Sequence, residues 1–288
     1  MHNLINEIVE MMNYPFIQRA VIVGLLVSLC AALLGVSLVL KRYSMIGEGL
    51  SHVSFGAMSF VLSINTLSFV QGVFEINPLI FTIILTVIIA FLLLRITENS
   101  KITSDSAIAL ISTTSLTIGV ITISLTTGLN TDVCNTLFGT ILALSKADVQ
   151  LSVVLSIIVI ILFSFFYNKI FAITFDESFA RATGIKVDAY NMLIAFLTAI
   201  TIVLGMRLMG SLLISSLIVI PALTAMRLFK NFKQVVISSA ITSVLCFLIG
   251  ITLSYLFQLP AGSSIVAVNL SLFMIVCVIA QIRKWNVN

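Results

Sequence analysis

Glu48 and His52 stand four residues apart in the stretch GEGLSHVSFGA, Gly47 to Ala57. On a helix that spacing puts both side chains on one face, with Gly56 one turn further along and Ser59 roughly continuing the side. Leu50, Val53, Phe60 and Val61 point elsewhere. A carboxylate and an imidazole are both ligands for a borderline divalent metal. Their surroundings are apolar, and ionisable groups inside a membrane span are rare, costly and usually turned toward an interior or a watery path. The bland alternative is a pair of side chains that hydrogen-bond to each other and do nothing more. A single chain brings only these two donors, too few for a closed metal site. Two copies about a two-fold axis would bring four, and the two carboxylates would offset the charge of a dication.

Catalytic readings do poorly. His2 and His52 are the only histidines, HExxH does not occur, and a catalytic zinc site usually needs three protein ligands. The nucleotide-binding pattern GxxxxGK[ST] is missing, so the chain is not expected to bind ATP itself, and no serine stands in a GxSxG setting. The chain is expected not to be an enzyme.

Composition says what must carry the pair. Of 288 residues, 60% are hydrophobic and 9% are charged, with a mean hydropathy of +1.21. A soluble domain would be about 25% charged. This is the composition of an all-α integral membrane protein, read as one polytopic domain over residues 1–288. The net charge of +4 does not point to nucleic acid, because the basic residues are scattered at segment ends. Cys30, Cys134, Cys246 and Cys277 have no close spacing and imply no disulfide framework. Residues 1–15 read as a short amphipathic segment without the basic start of a cleaved signal peptide.

A helix crossing the hydrocarbon needs roughly 20 apolar residues. Charge-free runs cover 20–40, 49–74, 76–94, 106–131, 149–168, 189–206 and 208–226. The last run, 234–282, is too long for one span and breaks at Gln258 to Gly262, a turn signature. These runs predict about nine helices. Eight is the alternative if Gly205–Gly210 is a tight bend or re-entrant turn. With nine spans and the N-terminus outside, twelve lysines and arginines fall inside and three outside, namely Arg19, Lys146 and Arg207. That bias puts the C-terminus in the cytoplasm.

Residues 169–188 read as a cytoplasmic loop, the most charged stretch of the chain. Within it, DESFARATG reads as a short helix, with acids in the first turn and Gly184 as its stop. The residues alone leave two readings, a docking helix for a soluble partner or a solvated connector.

The stretch RYSMIGEGLSHVSFGA, Arg42 to Ala57, resembles the second-helix signature of the zinc and manganese permease subunits of bacterial ATP-binding-cassette importers. That family usually has Asp where this chain has Glu48; glutamate keeps the ligand chemistry and adds a methylene. The resemblance runs along nearly the whole chain: TLFGTILALS (Thr136–Ser145), FDESFARATGI (Phe175–Ile185), MGSLLISSLIVIPALTA (Met209–Ala225) and LPAGSSIV (Leu259–Val266) are each similar to family segments.

The resemblance implies a permease in the bacterial plasma membrane that pairs with a second copy and works with two cytoplasmic ATPase subunits and an extracellular metal-binding protein. It implies no permanently bound cofactor, only a transported divalent metal held by Glu48 and His52. It assigns ATPase coupling to Phe175, Asp176, Glu177, Phe179, Ala180, Arg181 and Gly184. The wording SHVSFGA looks more like the zinc branch, with manganese or iron as the alternative. A larger metal chelate would need no paired ligands, and a scaffold carrying no substrate would need neither side chain.

Other residues are open to two readings. Gly56, Ser59, Ser211 and Ser215 are candidates for lining the pathway, as are Thr198 and Thr201, although such hydroxyls more often bond back to their own helix. Asp132 and Cys134 could pass a metal at an outer end, or be a solvated acid and a packed thiol. Gly205 and Gly210 suit close packing or a bend.

Overall fold

The structure, a computed structural model, describes residues 13–66, 77–99, 103–126 and 146–285. Among these the regular structure is all helical. In chain order the helices are α1 (Pro15–Leu40), α2 (Ile46–Thr66), α3 (Pro78–Asn99), α4 (Ser104–Thr126), α5 (Lys146–Phe165), α6 (Tyr167–Phe175), α7 (Glu177–Ala182), α8 (Val187–Met209), α9 (Ser211–Leu228), α10 (Phe232–Phe257) and α11 (Ala261–Trp285).

Seven of them are long and apolar enough to cross a membrane: α1, α3, α4, α5, α8, α10 and α11. The expectation of eight to nine spans goes beyond these, to α2 and α9. Helix α2 is diluted by Glu48, His52 and its serines and glycines, and the apolar part of α9 is short, Leu213–Leu228. The outer residues of α5 and α11 suit a lipid surround. Ile157, Ile161 and Phe165 on α5, and Met274, Val278 and Ile282 on α11, are exposed on the isolated chain.

Helix α1 is the hub, packed by α5, α8, α9 and α10. Its Val23, Val27, Ala31, Ala32 and Val36 are wholly buried. Lipid tails are as apolar as leucine, so helices here associate through close packing and polar links rather than by expelling water. Both devices are visible. Gly35 lies against the backbone carbonyl of Ile218, leaving no room for a side chain. Ser243 Oγ donates to the Ser28 carbonyl at 3.0 Å, and Ser54 on α2 meets Thr86 on α3 at 3.1 Å.

The predicted breaks correspond to structural features. Helix α10 stops at Phe257, and Gln258 takes a left-handed conformation, φ 52°, before α11 begins. Between α8 and α9 stands Gly210 alone, with φ 84°. One correction concerns 169–188. Its first part is not loop, because Tyr167–Phe175 forms α6. Ile170, Ile173 and Thr174 recur at helical spacing and are buried, a short amphipathic pattern hidden behind the nearby lysine. The segment Thr136–Ser145, with Asp132 and Cys134, lies outside the described residues, as does most of 1–15.

Candidate metal-transfer site

The site is built at the start of α2. Lys41 caps α1, and the chain reverses through Arg42, which has φ 62°. Arg42 N–H donates to the Val39 carbonyl and Tyr43 N–H to the Leu38 carbonyl, at 3.1 and 2.9 Å. This paired pattern is the Schellman closure of a helix end, normally made with glycine at the left-handed position. Tyr43 O then accepts from Ile46 N, α2 starts, and Glu48 falls in its first turn.

Small residues fix what surrounds that turn. A Cβ on Gly47 would stand 3.3 Å from Ile218 Cδ1 and 3.7 Å from Ser215 Cα, so α9 covers this side. A Cβ on Gly49 would stand 2.6 Å from Ile108 Cγ2, so α4 covers another. The Glu48 carboxylate remains exposed on the single chain, while His52, one turn on, is half-buried. Its Nδ1 is buried and has no hydrogen-bond partner. No hydrogen bond joins the two side chains among the described residues, so the geometry does not favour a self-satisfied pair. Nor is there, among the described residues, any group of three or more His, Cys, Asp or Glu side chains that could hold a metal within one chain.

The other candidates divide. Ser215 sits beside the Glu48 turn, half-buried, and donates to the Ser211 carbonyl at 3.1 Å. Ser211 is buried at the start of α9, and its hydroxyl has no partner. Gly56 is pressed against the Ser115 carbonyl of α4, inside a helix contact, and Ser59 is buried. Thr198 and Thr201 bond back to the carbonyls of Ile194 and Leu197, at 2.7 and 2.9 Å.

The candidate coupling segment is well built. Asp176 caps α7 by accepting from Phe179 N–H at 2.9 Å. At the other end Ile185 N–H reaches the Ala180 carbonyl and Gly184 N–H the Arg181 carbonyl, a second Schellman closure, here with glycine at φ 82°. Ala180 is fully buried beneath the helix, whereas Phe175 and Phe179 stand out from the surface. Phe175 also packs on Phe171 and Phe232, ring centres 5.0 and 5.9 Å away. Arg181 pairs with Asp188 at 2.7 Å in the open. Glu177, Ser178, Arg181 and Ala182 line a groove of about 560 Å³.

Two residues at this junction escaped the sequence reading. Lys41 Nζ donates to Glu177 Oε1 at 2.7 Å and to Asn191 Oδ1. The only signal in the sequence was a lysine seven residues before Glu48, which reads equally well as ordinary positive charge at a helix end.

The comparisons with known proteins agree with one another. The sequence profile of the ABC 3 transport family matches residues 13–280. The manganese import system permease protein ScaB of Streptococcus gordonii is 30% identical over 285 residues, 98% of each chain. The high-affinity zinc uptake system membrane protein ZnuB of Haemophilus influenzae is 30% identical over 257 residues, 89% of this chain and 94% of the other. Among solved structures, PsaBC from Streptococcus pneumoniae in complex with Fab superimposes with a TM-score of 0.81 at 28% identity, covering 94% of both chains. A helical membrane bundle with this motif, matched over nearly its full length, belongs to the ABC 3 transport family.

Proposed function

We propose that the chain is the permease subunit of an ATP-driven importer and that it hands a divalent transition metal, zinc in the first instance, across the membrane. One observation carries the reading: an exposed Glu48 carboxylate and a half-buried His52 with an uncommitted ring nitrogen, one turn apart on α2. Two donors from one chain and two from a second copy would make a four-ligand set whose carboxylates offset the dication. Burying such a charge without that offset is prohibitive. The exposure of Glu48 leaves its carboxylate free to meet a second chain.

A transporter must also release its cargo. A closed cage of four ligands would hold zinc as a structural site does and stall the cycle. The four groups therefore converge in one conformation and part in another. The energy comes from two cytoplasmic ATPase subunits docked on α7 and its groove, and the metal arrives from an extracellular binding protein. In this reading the N-terminus is outside and the C-terminus inside, as the lysine and arginine bias requires.

Manganese is the second reading, because ScaB and ZnuB match equally well at 30% identity. The donor set favours zinc: imidazole suits it, whereas manganese prefers more oxygen than two carboxylates supply. The test is uptake of radioactive zinc and manganese, separately, in a strain lacking this permease and complemented with it. Zinc accumulation that disappears in the His52→Ala variant supports the reading. Uptake of manganese alone moves the assignment to manganese. Normal uptake of either metal by a well-expressed His52→Ala variant overturns the site.

A further inference from the structure

We infer that Lys41 is a positioning residue, a tie by which the α7 dock moves the metal ligands on α2. The inference rests on the reading of α7 as the ATPase dock. Three elements converge on the Lys41 ammonium: the end of α1 that carries it, Glu177 at the start of α7, and Asn191 in the first turns of α8. Asn191 Nδ2 also donates to Glu177 Oε1 at 3.3 Å, which closes the triangle.

The asymmetry of the pair matters. The Lys41 side chain is 7% exposed, while Glu177 is 48% exposed and lines the groove. A pair that is open at both ends contributes little and is easily given up. A buried ammonium is different, because losing its carboxylate leaves an uncompensated charge out of water. Lys41 must therefore follow Glu177 when α7 shifts. Arg181 of α7 and Asp188 of α8, both 61% exposed, form the contrasting pair at the same junction and carry no such obligation.

From Lys41 the path to the ligands is short and stiff. The next residue, Arg42, is held at φ 62° by the helix-end closure to Val39 and Leu38. Four residues later α2 begins, with Glu48 in its first turn and His52 in its second. A displacement of Glu177 thus reaches the ligand pair through one ion pair, one closed turn and one helix end.

The test uses the whole importer reconstituted in proteoliposomes, with ATP hydrolysis and zinc uptake measured on the same vesicles. Lys41→Met should keep ATPase assembly and hydrolysis, and Glu177→Gln, which alters the docking groove itself, is scored only on importer whose assembly is shown by the Ser178→Cys crosslink. Zinc moved per ATP hydrolysed should fall about tenfold, within the range typical of coupled sites. The double variant Lys41→Glu, Glu177→Lys should recover part of that ratio, since the Asn191 amide is able to donate to a carboxylate as well as accept from an ammonium. A merely structural lysine would lower protein yield and leave the ratio intact.

If Lys41→Met does not fold, Glu177→Gln decides, because that side chain is half-exposed and keeps an acceptor oxygen. A normal ratio in Glu177→Gln, with Ser178→Cys still crosslinking to the ATPase, overturns the tie alone. Failure of Ser178→Cys to crosslink to the ATPase in an otherwise active importer overturns the docking reading, and the tie with it.

Discussion

Gly56 of α2 and Gly119 of α4 meet backbone to backbone: a Cβ added to Gly119 would lie 2.9 Å from the Gly56 Cα. The helix that bears Glu48 and His52 is therefore seated on α4 by two residues without side chains. Gly56→Ala should push the helices apart, because the new methyl meets the Ser115 carbonyl, which is backbone and cannot swing away. Overpacking of this kind costs about 1–3 kcal/mol. Thermal unfolding of the purified protein in detergent should show it, and zinc uptake should fall with it. An unchanged melting temperature would mean that the contact is looser than the geometry states.

On the proposed reading, replacing Glu48 or His52 should stop transport without unfolding the chain. Glu48 is exposed and His52 half-buried with a free nitrogen, so neither holds the bundle together. Glu48→Ala and His52→Ala should reduce uptake to background at normal expression. Glu48→Asp should retain much of it, since the carboxylate survives one methylene shorter. Loss of activity in Glu48→Asp equal to that in Glu48→Ala would show that reach, not ligand type, decides.

The α7 segment separates structural from interfacial effects. Helix α7 has six residues and depends on its ends. Asp176→Ala removes the cap, at a cost of about 1 kcal/mol. Gly184→Ala places a side chain at φ 82°, at a cost of about 1–2 kcal/mol. Both should fray the helix and weaken ATPase copurification. Arg181→Glu breaks an open ion pair and leaves both helix caps in place, so stability should hold while coupling falls. A destabilised Arg181→Glu variant would refute the distinction.

Arg42 offers the opposite experiment. Its left-handed backbone is one that glycine adopts freely, so Arg42→Gly should raise stability by up to about 1 kcal/mol. Chemical denaturation would detect this. If stability rises while uptake drops, the arginine side chain serves transport rather than the turn.

Much of this architecture is legible in residue order. The helix end and turn at Gln258–Pro260, the break at Gly210 and the cap-and-stop pattern of α7 are local, and local chemistry dictates them. Helix α6 was hidden because its buried positions, Ile170, Ile173 and Thr174, occupy only two turns next to charged neighbours. The Glu48–His52 face was legible from spacing. What α2 rests against was not, because close contacts such as Gly56 with Ser115 join residues far apart in sequence. The Lys41–Glu177 pair spans 136 positions, and a lysine at a helix end has too many ordinary explanations for its partner to be guessed.

Gly210 bears on how the protein is made. It alone separates α8 from α9, it is buried, and its neighbours Met209 and Ser211 are 6% and 2% exposed. The 18 residues of α9 are about 27 Å long at 1.5 Å each, short of a hydrocarbon core about 30 Å thick. A hairpin with such a tip has no loop to leave behind in water during synthesis. We expect its two arms to enter the bilayer as one unit and to be received by α1, where Gly24 lies against Met209 and Val27 against Gly205. A short tag inserted at Gly210 should therefore abolish accumulation of the protein, whereas the same tag at the exposed turn 258–260 should be accepted.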